Sequence, residues 1–318
     1  MQMRLSIFSA SLVLAFISAT TQASNLFVTP SGSGILCSVD EPCAKVQTAI
    51  DGAQTGDHIY IGPGTYRENL TVNADKTDLH ISGTGNDQVF VVSAGGNTKP
   101  KVSPEGVQMD IVLDIFASGV IVEKLSLMHP PGQADKRDIG IFVRPGAHGV
   151  VIQKTHIERQ RSGDMLEPTT PGSRGILVVR APGTHIVKNE IGGNYQDHIH
   201  LPSSHSVVMK NAISHATRLG IVVVQENPDS DNSKNHISKN WISDSGSDAI
   251  QIQGDHNVVT NNHIRNSDGA AITLCGVGTS CAPPGDSASA DDNTVHDNVL
   301  EGNNMEVVDG GMNNDVTP

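Results

Sequence analysis

The chain has 318 residues, with 34 acidic side chains against 21 Lys and Arg, a formal net charge of −13 and an aromatic content of only 3%. That balance excludes a nucleic-acid-binding role, which depends on neutralising phosphates with cationic side chains. No segment approaches the roughly 20 consecutive apolar residues of a membrane helix, so no membrane span is expected. At the N-terminus, Arg4 is the lone charge, Leu5 to Ile17 is mostly apolar, and Thr21-Gln22-Ala23 offers small residues for cleavage. Residues 1–23 therefore read as a secretory signal peptide, and the mature chain is expected to be secreted or periplasmic. Segment 24–72 then reads as a cap with a first coil, and 73–318 as coils with loop insertions and a tail.

Cys37 and Cys43 recur in spacing as Cys275 and Cys281. Neither pair has the two-residue separation of a zinc knuckle. In an oxidising compartment each pair is expected to close its own local disulfide. Next in the chain, Ala44 to Gln54 places Val46, Ala49, Ile50 and Ala53 on one helical face. This is the one amphipathic helix pattern in the sequence, and its position suits a cap over the open end of a β-structure.

The stretch from Leu26 to Val72, including CAKVQTAIDGAQTGDHIYIGPGTYRENLTV, resembles the N-terminal entry of bacterial pectate-lyase-like right-handed parallel β-helix proteins. The resemblance implies an all-β, single-domain solenoid with a short N-terminal capping helix. Its superfamily includes lyases, epimerases, hydrolases and proteins without known catalysis, and proteins similar in fold assist periplasmic copper enzymes.

The rest of the chain carries an internal repeat. An apolar-x-x-Asn-x-Ile unit recurs at Ile186, Val208, Ile237, Val259 and Val295, with weaker copies at Val122 and Ile152. The Asn positions 189, 211, 240, 262 and 298 fit a coil of about 22 residues with insertions, and an Asn column at a tight bend can bond the backbone of its neighbours. Upstream of each Asn is a second short run, such as GIFV at Gly140 or GIVVV at Gly220, whose length and alternation indicate strand. Ile141, Ile176, Ile199, Ile221, Ile250 and Ile272 are expected to stack as one interior ladder. Before the Asn column stand Lys124, Lys154, Lys188, Lys210 and Lys239, a basic ridge in an acidic protein.

One coil breaks the apolar face. Strict alternation about Ile199 turns His198 and His200 outward together, with Tyr195, Asp197, Arg174, Arg180 and Arg218 nearby, Arg144 in a flanking column, and Gln251 in the column of His200. Alginate C5-epimerases are similar in combining Tyr, Asp and His within a few residues. His, Tyr and Arg together suit uronate chemistry, in which Arg neutralises the sugar carboxylate while His and Tyr handle the C5 proton. Two open readings remain. The leading one is a carbohydrate-active lyase or C5-epimerase with an acidic polysaccharide as partner, His198, His200, Tyr195, Asp197 and Arg180 as catalytic residues, and Arg144, Arg174, Arg218 and Gln251 binding substrate. The other is a non-catalytic carbohydrate-binding or copper-handling protein, for which His198 and His200 on one face are candidate ligands. The Asp229 to Asp231 and Asp244 to Asp248 loops offer oxygen ligands for Ca²⁺, Asn69-Leu70-Thr71 is a glycosylation sequon, and a monomer is expected.

Overall fold

A coil of this chain has too few apolar residues to bury a face by itself, so it must stack on the next coil. The computed structural model describes residues 23–95, 101–102, 108–130, 137–160, 172–224, 232–276, 279, 281 and 290–317. The signal segment and Asp229 to Asp231 lie outside these residues. Within them the strands form three sheets, here A, B and C, parallel except for Lys101–Val102, which pairs antiparallel with Gln108–Ile115, and the chain visits them in turn through nine coils. One coil runs through Val207–Met209 in A, Ala212–Ser214 in B and Leu219–Val223 in C. This is a right-handed, pectate-lyase-like parallel β-helix, as the sequence indicates.

The interior is a column of stacked aliphatic side chains. Ile141, Ile176, Ile199, Ile221, Ile250 and Ile272 are direct register partners in sheet C and all are buried. At about 2 kcal/mol per buried aliphatic side chain, repetition of this position is the main cohesive force between coils. The corner helix is shorter than its pattern, Val46–Gly52, with Val46, Ala49 and Ile50 buried. Its first turn lacks a side-chain cap of its own. The Glu68 carboxylate accepts from the Val46 and Gln47 amides at 2.8 and 3.0 Å instead, satisfying helix donors that would otherwise be unpaired. The disulfides pair locally, Cys37 with Cys43 and Cys275 with Cys281.

The corners carry the specificity. At the A–B corner the chain reverses direction through a left-handed residue, at φ between 51° and 58° for Lys124, Lys154, Lys188, Lys210, Lys239, Asn261 and Asp297. A non-glycine residue there costs roughly 1–2 kcal/mol. The next residue offsets that cost. Asn189, Asn211, Asn240, Asn262 and Asn298 are stacked so that each accepts the backbone N–H of the residue above and donates Nδ2–H to a carbonyl of a preceding coil. A second ladder, Asn235, Asn257, Asn293 and Asn314, runs down the C–A corner with the same amide-to-Oδ1 contacts at 2.7–2.8 Å. The first ladder is the one read from the sequence; the second was missed.

Asn240 is the sharpest probe. It accepts from Asn211 N at 3.0 Å and donates to Val208 O at 2.9 Å, and it is buried. Asn240→Ala leaves a buried amide and a buried carbonyl without partners and is expected to cost about 2–3 kcal/mol, seen as a lower denaturant midpoint. Replacing the exposed left-handed Lys239 by Asn, which favours that conformation, is expected to hold or raise the midpoint.

Candidate functional site

Sheet C bends within each strand, and that bend decides which residues face out. Arg174 pairs with Asp197, Ile176 with Ile199 and Leu177 with His200, but the residue between the first two pairs makes no ladder partner. At that skipped position a Cβ on Gly140, Gly175 or Gly220 would meet the inward side chains of Ile157, Ile191 or Ile242 at 2.6–2.9 Å. Two consecutive positions therefore point inward, and strict alternation fails. The side chains sharing the outer face are Asp197 and His200, not His198 and His200.

Asp197 is fully buried beneath two guanidiniums. Arg218 donates Nε–H to its Oδ1 at 2.8 Å and its NH2 group to Oδ2, while Arg174 Nε lies 3.1 Å from Oδ2. His200 Nδ1 is 3.1 Å from the same Oδ2. Burial pushes the Asp197 carboxyl up, but the His200 hydrogen bond, the Arg174 charge and the Arg218 hydrogen bond outweigh it and hold the carboxyl well below the usual range. An ionised Asp197 makes Nδ1 the donor nitrogen of His200, which leaves Nε2 as the basic one. Two cations against one anion leave one net positive charge on this face. The side chain of Arg218 is 42% exposed, and His200 is largely covered.

The other expected members are elsewhere. Tyr195 is not beside an exposed His pair; it is in the hydrophobic interior, its hydroxyl 2.9 Å from His129 Nδ1. Burial, then the nearby Asp138 charge, raises its pKa well above the ordinary value, so it has no tendency to ionise. His198 is buried too, edge-on to Tyr195, with Nε2 3.2 Å from Gly193 O. It occupies the inward column that the two adjacent coils fill with Gly175 and Gly220. Arg180 is on the turn beyond the far end of the Arg174–Val178 strand, at φ 45° and exposed, several residues of extended chain from Arg174. Arg144 forms a separate bidentate pair with Asp114 at 2.7 and 3.0 Å and lies 3.7 Å over Phe142. Burial draws its guanidinium down to about 10. Asp114 is three strands from His200 in register, roughly 14 Å. Gln251 is two strands from His200 on the other side and reaches Cys275 Sγ at 3.6 Å. Asp248 accepts from Ala270 N and Thr273 Oγ1, both at 2.9 Å, and so is tied to the strand of the following coil.

Tyr195 belongs to an interior network that sequence reasoning missed. Asp110 and Asp138 are register partners, as are His129 and Arg159, and all four are buried. Arg159 Nε donates to Asp138, and Asn69 and Ser93 donate to Asp110 at 2.7 and 2.6 Å. The repeated Asp-Ile three residues before an inward aliphatic, at Asp110 and Asp138, was the available signal. Ligand atoms of Asp110, His129 and Asp138 lie within 4.8 Å of one another. Arg159, Asn69, Ser93 and Tyr195 already engage part of this set, Asp138 Oδ1 being buried without a hydrogen-bond partner, and two carboxylates do not suit copper(I), which prefers thiolate or thioether. All four cysteines are in disulfides. This donor set does not suit copper(I).

The family model described as periplasmic copper-binding protein (NosD) matches residues 135–317. No curated protein sequence matches this chain. Solved structures share the fold at low identity. The alginate lyase from Paenibacillus sp. str. FPU-7 is 14% identical at a TM-score of 0.55, covering 91% of this chain and 99% of its own. The family 28 exopolygalacturonase of Yersinia enterocolitica is 11% identical at 0.63, covering 93% and 62%. Carrot pectin methylesterase is 12% identical at 0.54, covering 94% and 90%.

The Asp197 cluster makes a pH-resolved prediction. A carboxyl depressed in the folded state stabilises above its unfolded pKa and loses that contribution as pH falls through its folded value. The stability gap between wild type and Asp197→Asn is expected to stay constant from pH 7 to about pH 4, the ordinary carboxylate range, and to shrink only below it. Denaturant titrations of both proteins across that range measure the gap.

Proposed function

The chain belongs to the NosD family, and on that footing we propose that it is an exported, carbohydrate-active β-helix protein that takes an acidic, uronate-containing polysaccharide on the outer face of sheet C. The observation that carries the reading is the convergence of Arg174 and Arg218 on Asp197 beside His200, since it sets excess positive charge next to an oriented imidazole on an acidic protein. Arg218, the more exposed guanidinium, binds the uronate carboxylate and so acidifies the C5–H. His200 Nε2 takes the C5 proton. In elimination the released electron pair forms the C4–C5 double bond as the C4–O glycosidic bond breaks, and the leaving oxygen is protonated by solvent. In epimerisation C5 instead regains a proton from solvent on the opposite face, and His200 releases the abstracted proton to solvent. Asp197 positions both the imidazole and the guanidiniums. Arg174 supports Asp197, and the buried Tyr195 and His198 are left out of the chemistry. The metal-handling alternative rests on the family description, and the Asp110, His129 and Asp138 set favours it only for a metal that takes nitrogen and oxygen donors, not for copper(I).

Incubation with alginate, pectate and glycosaminoglycans is expected to give ultraviolet-absorbing unsaturated uronate or, in epimerisation, solvent deuterium at C5. His200→Ala is expected to lower that turnover by about 10²–10⁴-fold, and Arg218→Gln to raise KM. Unchanged turnover in His200→Ala would remove His200 from the chemistry.

A further inference from the structure

The lysine column at the A–B corner survives folding as a continuous feature. Lys124, Lys154, Lys188, Lys210 and Lys239 occupy the same left-handed position in five consecutive coils, and each amide donates to the next coil, from Lys124 N→Lys154 O at 3.1 Å to Lys239 N→Thr260 O at 3.2 Å. At about 4.8 Å per coil the row is roughly 19 Å long. Lys124 is paired with Glu123 at 2.9 Å. The other four are exposed and form no ion pair among the described residues. Glu190, two residues after Lys188, is turned to His156 at 3.3 Å.

This corner is also unobstructed. In all five coils two residues separate the end of the sheet A strand from the start of the sheet B strand, so no insertion rises beside the row. In the coil of the last lysine, the first sheet B position after Asn240 holds Trp241, the single Trp of the chain, which is 44% exposed. His263 is 4.0 Å from its ring and Arg265 5.3 Å over it.

From these features we propose that the A–B corner is a binding track for a single polyanionic glycan chain lying parallel to the helix axis, separate from the sheet C face. One carboxylate per sugar ring gives a linear charge repeat close to the coil spacing, and the C–H face of a pyranose packs against an exposed indole. Duplex nucleic acid carries one charge per about 1.7 Å on two strands, which a single row does not match, and the protein's net charge of −13 repels it. A planar anionic membrane requires a two-dimensional patch, whereas this is a narrow ridge. The track shares its ligand chemistry with the proposed activity but none of its residues.

The test is the variant Lys154→Asn, Lys188→Asn, Lys210→Asn. Asn accepts the left-handed backbone, so the fold is kept, and thermal unfolding checks it. Binding of polygalacturonate and alginate is measured by calorimetry at several salt concentrations, with poly(dT) and phosphatidylserine vesicles as rival probes. The proposal expects roughly a tenfold or greater loss of polyuronate affinity and a salt slope smaller by about 2, from roughly 0.7 per cation removed. Trp241→Ala should weaken binding without changing the slope. Equal affinity in wild type and triple variant, or no polyuronate binding by wild type, overturns it. Tighter binding of poly(dT) or vesicles than of polyuronate, lost in the same variant, also overturns it by assigning the ridge to another partner. The readout needs no turnover, so it stands or falls separately from the chemistry at His200.

Discussion

Everything in this molecule depends on coil-to-coil stacking in register. A coil has three strands of three to eight residues and no core of its own, so its apolar positions are buried only when the coils above and below present the same positions at the same height. Register is held at the corners. An Oδ1 accepting the amide of the coil above cannot do so if the coil slips by one residue, because every side chain would then change face. The Asn ladders are thus the part of the structure that converts a generally apolar sequence into one defined stack.

That logic explains which features were legible. The Ile ladder and the first Asn ladder depend on period alone, and period is a property of the sequence. The second ladder has the same steps as the first, Asn235, Asn257 and Asn293 each standing five residues before Asn240, Asn262 and Asn298, but it lies just ahead of the sheet A strand, outside the apolar-x-x-Asn-x-Ile unit that marks the repeat. The disulfides are local and needed no tertiary information.

The site was only half legible, for a different reason. Alternation assigns faces correctly along a straight strand, but sheet C bends at the residue before each inward Ile. Gly175 and Gly220 mark that bend by having no space for a Cβ. Had the Gly and Ala of this column been read as a steric requirement, His198 would have been recognised as an inward residue in a tight position. Asp197 with Arg174 and Arg218 was foreseen as a neighbourhood, while its ionic geometry required the register. Tyr195 was misplaced because its ring crosses two coils to reach His129, a contact between residues 66 apart.

The insertions are unevenly distributed around the tube. From residue 121 onward the link between sheets A and B is two residues in every coil, whereas the links into and out of sheet C vary: seven residues precede Arg137, fourteen precede Arg174, and nineteen precede Thr294. Each amide-to-Asn step on the constant corner would be broken by an added residue, so length variation is confined to the sides flanking sheet C. A lineage built on this frame can reshape the walls around one face while the opposite edge stays geometrically fixed. Novelty and constancy are thereby assigned to different sides of the same coil.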